Sequence, residues 1–122
     1  MQGYQLTFFT TQDRRHGGLP LGEWLLQEAR KLGVSGATLV AAAEGFGRDG
    51  KLHAAHFIEL ADQPVEVTMA LGASEVDRLF ERLRDERIRV FYVKAPIEFG
   101  TTGRGLTGGA WPPRRDTARR SR

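Results

Sequence analysis

The chain has 122 residues, 40% of them apolar, and a net charge of +3, which suits one domain with an ordinary core. It contains no cysteine, so disulfides, thiolate zinc sites and cysteine nucleophiles are excluded. No apolar run approaches the ~20 residues of a membrane-spanning helix.

Tyr4 to Thr10 alternates in polarity and predicts a first strand. Thr11 to Leu19 is polar and basic, contains Gly17-Gly18, and reads as a loop. Pro20 suits the first turn of a helix. Leu21, Trp24, Leu25, Ala29 and Leu32 follow at helical spacing, with Gly33 as a C-terminal cap. Ala37 to Ala43 predicts a second strand, and Glu44 to Gln63 a long connection in which His53 to Leu60 extends as a ribbon. Val65, Val67, Met69 and Leu71 alternate with Glu66, Thr68 and Ala70 as a third strand. Ser74 and Asp77 resemble a capping box, and Val76, Leu79, Phe80 and Leu83 mark a second helix. Ile88, Val90 and Tyr92 alternate with Arg89, Phe91 and Val93 as a fourth strand.

The order β-α-β, long connection, β-α-β predicts an α+β, ferredoxin-like sandwich: a four-stranded antiparallel sheet with two helices on one face. Thr7, Phe9, Thr38, Val40, Phe91 and Val93 are assigned to the other face. That set is too apolar for an ordinary solvent surface and predicts self-association. The alternative is that the long connection or the C-terminal segment folds over it. Residues 1–94 are expected to form the domain, and residues 95–122 a disordered tail rich in Gly, Pro and Arg. The tail carries Arg104, Arg114, Arg115, Arg119, Arg120 and Arg122 against Glu98 and Asp116, a net of +4, which leaves −1 for residues 1–94. The basic character therefore belongs to the tail, and a nucleic-acid partner is not expected. The N-terminus lacks the charged and apolar regions of a signal peptide, so a cytoplasmic location is expected.

Gly45-Phe46-Gly47-Arg48-Asp49-Gly50 follows the second predicted strand directly. Glycine lets backbone approach a ligand closely, successive N–H groups in a turn form an anion-binding nest, and an arginine fork matches phosphate. The segment is a candidate phosphate cradle, and it equally suits a flexible hairpin loop. Arg14, Arg15 and His16 form a second basic cluster, read as an anion-contacting loop or as a solvated charge run. His53 and His56 are three apart, so a strand points them to opposite faces, and no metal is expected. No Ser-His-Asp order or carboxylate pair stands at informative spacing, and no catalytic residue is assigned.

Several of these segments occur together in a known order. Gly3-Tyr4-Gln5-Leu6-Thr7-Phe8-Phe9, Asp13-Arg14-Arg15-His16, Pro20-Leu21 with Glu23-Trp24-Leu25-Leu26, and Gly36-Ala37-Thr38 through Glu44-Gly45-Phe46-Gly47 with Leu52-His53 resemble the DUF190 family of PII-like proteins. The likeness covers about residues 3–94. It implies a ferredoxin-like protomer, a homotrimer, and a partner-contacting T-loop between strands two and three. PII proteins bind adenine nucleotide between protomers, beside a Gly-Phe-Gly-Arg segment at the T-loop base. Gly45, Phe46, Gly47 and Arg48 match that segment. The resemblance thus implies a signalling protein, not an enzyme, with AMP, ADP or ATP as effector. Members of DUF190 tend to be associated with fluoride-exporting channels, which makes a membrane transport protein an expected partner. Two departures stand out. Asp49 replaces a glutamine, and Arg84-Asp85-Glu86-Arg87 replaces a Thr-Gly-x-x-Gly-Asp-Gly-Lys phosphate loop. A trimer without a small ligand, in which the glycine segment is only a hinge, is the competing expectation.

Overall fold

β1, Gln2–Thr11, is the long central strand on which the rest of the sheet is built. Its alternate residues Leu6 and Phe8 are fully buried. β7, Pro64–Leu71, alternates without a break, burying Val65, Val67, Met69 and Leu71. The two pair antiparallel, with Leu6 opposite Met69 and Phe8 opposite Val67. β4, Ala37–Ala41, pairs with the outer side of β7, and β8, Phe91–Glu98, with the outer side of β1. The strand order β4-β7-β1-β8 is antiparallel throughout and is the expected ferredoxin-like arrangement. The computed structural model describes residues 1–42, 44–46, 52–54 and 63–103.

Two helices cover one face of the sheet. α1, Leu21–Lys31, buries Leu21, Trp24, Leu25 and Ala29. α2, Ala73–Asp85, buries Val76, Leu79 and Leu83. These side chains form one core with Leu6, Phe8, Val65, Val67, Met69 and Leu71. Burying each large aliphatic or phenyl side chain contributes about 1.5–3 kcal/mol, so this one layer carries most of the fold's stability.

Both helices end in the same way and differ in one residue. In α1 the Gly33 N–H donates to Arg30 O and the Val34 N–H to Ala29 O. Gly33 adopts φ 79°, the left-handed conformation this closure needs. In α2 the Arg87 N–H donates to Arg84 O and the Ile88 N–H to Leu83 O. Here an arginine takes the left-handed position, at φ 57°.

Four local expectations are corrected. The loop after β1 contains a small hairpin, β2 (Arg15–His16) paired with β3 (Leu19–Pro20). Gly17 and Gly18 both have positive φ, which a two-residue turn between strands requires. Pro20 is the residue before α1, not its first turn. α2 starts from Gly72, whose N–H donates to Glu75 Oε1 at 2.8 Å, so Glu75 takes the role expected of the Ser74–Asp77 pair. The fourth strand begins at Phe91 and runs to Glu98, past Lys94, because residues 86–90 are used to close α2 and leave it.

The face away from the helices carries exposed apolar side chains. Phe9, Val40, Phe91 and Val93 are 36%, 52%, 60% and 48% exposed, an apolar surface on three strands. Phe9 and Phe91 are cross-strand partners with ring centroids 5.6 Å apart. Thr7, expected there as well, is buried, and its hydroxyl lies 3.2 Å from that of Thr68.

Candidate functional site

Register places the connections that carry Arg14–His16 and Gly45–Phe46 at one end of the sheet. Thr11 at the end of β1 pairs with Pro64, and Ala41 at the end of β4 pairs with Val65. The connection between β4 and β7 leaves and returns there: the Ala42 N–H donates to Pro64 O at 2.8 Å, and the Gln12 N–H to Gln63 O at 3.0 Å. β8 starts at the same end, Phe91 facing Phe9. The β2–β3 hairpin, the β4–β7 connection and the α2–β8 turn therefore emerge side by side. Arg14, Arg15 and His16 sit on the first. Gly45 and Phe46 sit on the second, in β5 (Glu44–Phe46), which pairs with β6 (Leu52–Ala54) so that Gly45 faces His53 and Phe46 faces Leu52. Gly47 and Arg48 lie outside the described residues.

The hairpin is fastened by specific bonds. The first amide of α1, Leu21 N–H, donates to Arg14 O at 2.7 Å, which satisfies one of the donors a helix start leaves open. The Arg15 guanidinium donates through Nη2 to Gly18 O at 2.7 Å, bracing the turn across its own mouth. Arg14 and Arg15 remain exposed. His16 Nε2 lies 2.8 Å from Glu86 Oε1, just past the end of α2, and its ring meets Trp24 edge-on at 5.0 Å.

From Glu86 a chain of charges runs back across both helices. Arg82 Nη1 donates to Glu86 Oε2 at 3.3 Å, and Arg82 Nε donates to Glu28 Oε1 at 2.9 Å. Lys31 Nζ donates to the other Glu28 oxygen at 3.1 Å. The Arg82 guanidinium also lies over Trp24, 5.8 Å from the ring centre. Glu28 is 4% exposed, and burial alone pushes its carboxyl up. The hydrogen bonds and charges of Arg82 and Lys31 outweigh that and hold it below its ordinary range. The hydrogen bond from His16 lowers the Glu86 carboxyl, desolvation opposes it, and Arg82 adds to the lowering. Both acids are thus held as carboxylates, and the hairpin is tied to α1 through α2.

None of Glu28, Arg82 and Glu86 is a site residue expected from the sequence, where Glu86 figures only within Arg84-Asp85-Glu86-Arg87. Their partners lie far apart in the chain, 54 residues for Arg82–Glu28 and 70 for His16–Glu86, and no local pattern signals such pairs. The helical spacings of Lys31 after Glu28 and of Glu86 after Arg82 are the local signs of the charge chain. Among the described residues no group of three His, Asp or Glu side chains is arranged to hold a metal ion, and no helix is long and apolar enough to cross a membrane. The site offers arginines and the start of a glycine segment near a sheet end, residue types that suit an anion.

Known proteins share this architecture. The model of the DUF190 family, described as an uncharacterized ACR, matches residues 3–93. A UPF0166 protein of Aquifex aeolicus (strain VF5) is 28% identical over 80 residues, covering 65% of this chain and 76% of the relative. CPII of Thiomonas intermedia K12, a nitrogen regulatory PII-like protein solved with ADP, AMP and bicarbonate, superimposes with a TM-score of 0.61 at 18% identity. That match covers 83% of this chain and 91% of CPII. CutA of Xylella fastidiosa matches with a TM-score of 0.52 at 16% identity, over 80% of this chain and 86% of CutA. At such identities the structural likeness speaks for the fold. The match over residues 3–93, on a four-stranded sheet of order β4-β7-β1-β8, shows that the chain belongs to the DUF190 family and carries the PII-like fold.

Proposed function

We propose that this protein is a PII-like regulator that binds an adenine nucleotide at the junctions of a homotrimer and reports it to a partner through the 44–63 segment. Gly45, Phe46, Gly47 and Arg48 cradle the phosphates. Arg14 and Arg15 form a second basic wall, with His16 beside them on the same hairpin. A membrane transport protein is the proposed partner, and the protein is not an enzyme. One observation carries the reading: the hairpin bearing Arg14–His16 and the connection bearing the glycine segment leave the same sheet end. Two connections far apart in sequence, each carrying residue types suited to an anion, thus start as neighbours in space. CPII, which shares the fold, is bound to ADP, AMP and bicarbonate, which supports the nucleotide class.

Thermal shift with AMP, ADP and ATP tests this, because a ligand of the native state raises the melting temperature in proportion to the logarithm of its excess over Kd. At least one nucleotide should do so. Arg48→Ala should weaken that nucleotide roughly ten- to hundredfold in calorimetry, the loss of one charge-assisted hydrogen bond. Equal binding to parent and variant would place the phosphates elsewhere.

A further inference from the structure

The β2–β3 hairpin has little of its own to hold it in place. Each strand has two residues, and the turn is a pair of glycines at positive φ. Beyond the backbone bond of Arg14 to Leu21 and the packing of Leu19 against the core, its polar and ring ties to the helices run through His16, to Glu86 at 2.8 Å and against Trp24 at 5.0 Å. Glu86 is an odd residue to find where it stands. A carboxylate at a helix C-terminus faces the negative pole of the helix dipole, which disfavours it. The next residue, Arg87, is the one non-glycine with positive φ among the described residues. Backbone held in a sparsely populated region persists where its surroundings fix it, and such sites concentrate near function. Here the fixing bonds are those that close α2, Arg87 N–H to Arg84 O and Ile88 N–H to Leu83 O, and beside them Arg82 grips the other Glu86 oxygen and is itself held by the buried Glu28.

We infer that His16 and Glu86 are positioning residues, which set the stance of Arg14 and Arg15 at the sheet end, and that His16 does not itself touch the effector. The inference rests on the effector site proposed above. His16 spends its Nε2 on Glu86 and its ring edge on Trp24, facing the helices, whereas Arg14 and Arg15 stay exposed. The path runs from the hairpin through Glu86 and Arg82 to Glu28 on α1, so both helices act as the reference against which the two arginines are placed. Such a brace lowers the cost of ordering the arginines when an anion arrives.

Hydrogen exchange over residues 12–20 of the free protein, together with ADP calorimetry, tests the inference. His16→Ala and Glu86→Ala should each speed exchange of the hairpin amides, and the double variant should be no worse than either single one. His16→Gln, whose side-chain amide donates to Glu86, should restore protection. Each alanine variant should also weaken ADP by a similar factor, roughly three- to tenfold, as expected for residues in direct contact that act as one unit. Unchanged exchange in both alanine variants would overturn the brace. Weaker ADP binding in His16→Ala alone would also overturn it, because His16 would then contact the effector directly. If none of AMP, ADP and ATP binds the parent, the nucleotide reading fails while exchange still decides the brace.

Discussion

Glu28 and Glu86 share Arg82, and each carboxyl is easier to ionise in the fold than in the free chain. A carboxyl with a depressed folded pKa contributes stability that is complete above its unfolded pKa. That contribution is lost as pH falls through the lower, folded value. The window therefore opens at about pH 4, where unfolded carboxylates protonate, and extends downward. Glu28→Gln should cost about 1.5–3 kcal/mol at neutral pH, because Arg82 and Lys31 lose a charged acceptor in a buried place. Its difference from the parent should shrink as pH falls below that window. Urea titrations of both proteins across the acid range check this. A difference that stays constant with pH would mean that packing, not charge, sets the cost.

The two helices give a matched comparison at the level of the element. Both close with the same pair of backbone bonds, one through Gly33 and one through Arg87. A residue with a Cβ in the left-handed region costs about 1–2 kcal/mol, partly offset in glycine by its larger chain entropy when unfolded. Arg87→Gly should thus stabilise the protein by about 0.5–1 kcal/mol, read as a shift of the denaturation midpoint at constant slope. A loss of stability would show that the arginine side chain contributes more than its backbone costs. The same pair marks what a sequence displays and what it hides. Gly33 announced its helix end, and the strict alternation of Val65 to Leu71 announced β7, because each follows from local sterics or from one buried face. The end of α2 carried no glycine, so the fourth strand was expected from Ile88, three residues early. Its far end, Ala95 to Glu98 with Pro96, reads as tail in composition; only pairing with Gln2 to Gln5 makes it strand. The hairpin at Arg15–Pro20 likewise looks like loop in sequence, since two-residue strands carry no periodicity and are held by contacts from α1 and from Glu86 at the end of α2. The candidate site divides along the same line. Its arginines and glycines were visible as residue types, but the Glu28–Arg82–Glu86–His16 chain exists only in the fold.

At the scale of the whole molecule, one sheet face is packed and the other presents Phe9, Val40, Phe91 and Val93 to solvent. A surface of that kind is ordinarily covered. A closed three-fold ring covers three such faces at once without leaving an end for further growth, and it creates the junctions at which the nucleotide is proposed to sit. Assembly and effector binding are therefore one claim, and native mass spectrometry with AMP, ADP and ATP tests both together. The account predicts a species of three 13.6 kDa chains that takes up one of these nucleotides, to a limit of one per junction. A monomer at micromolar concentration, or a trimer that takes up none of the three, would contradict it.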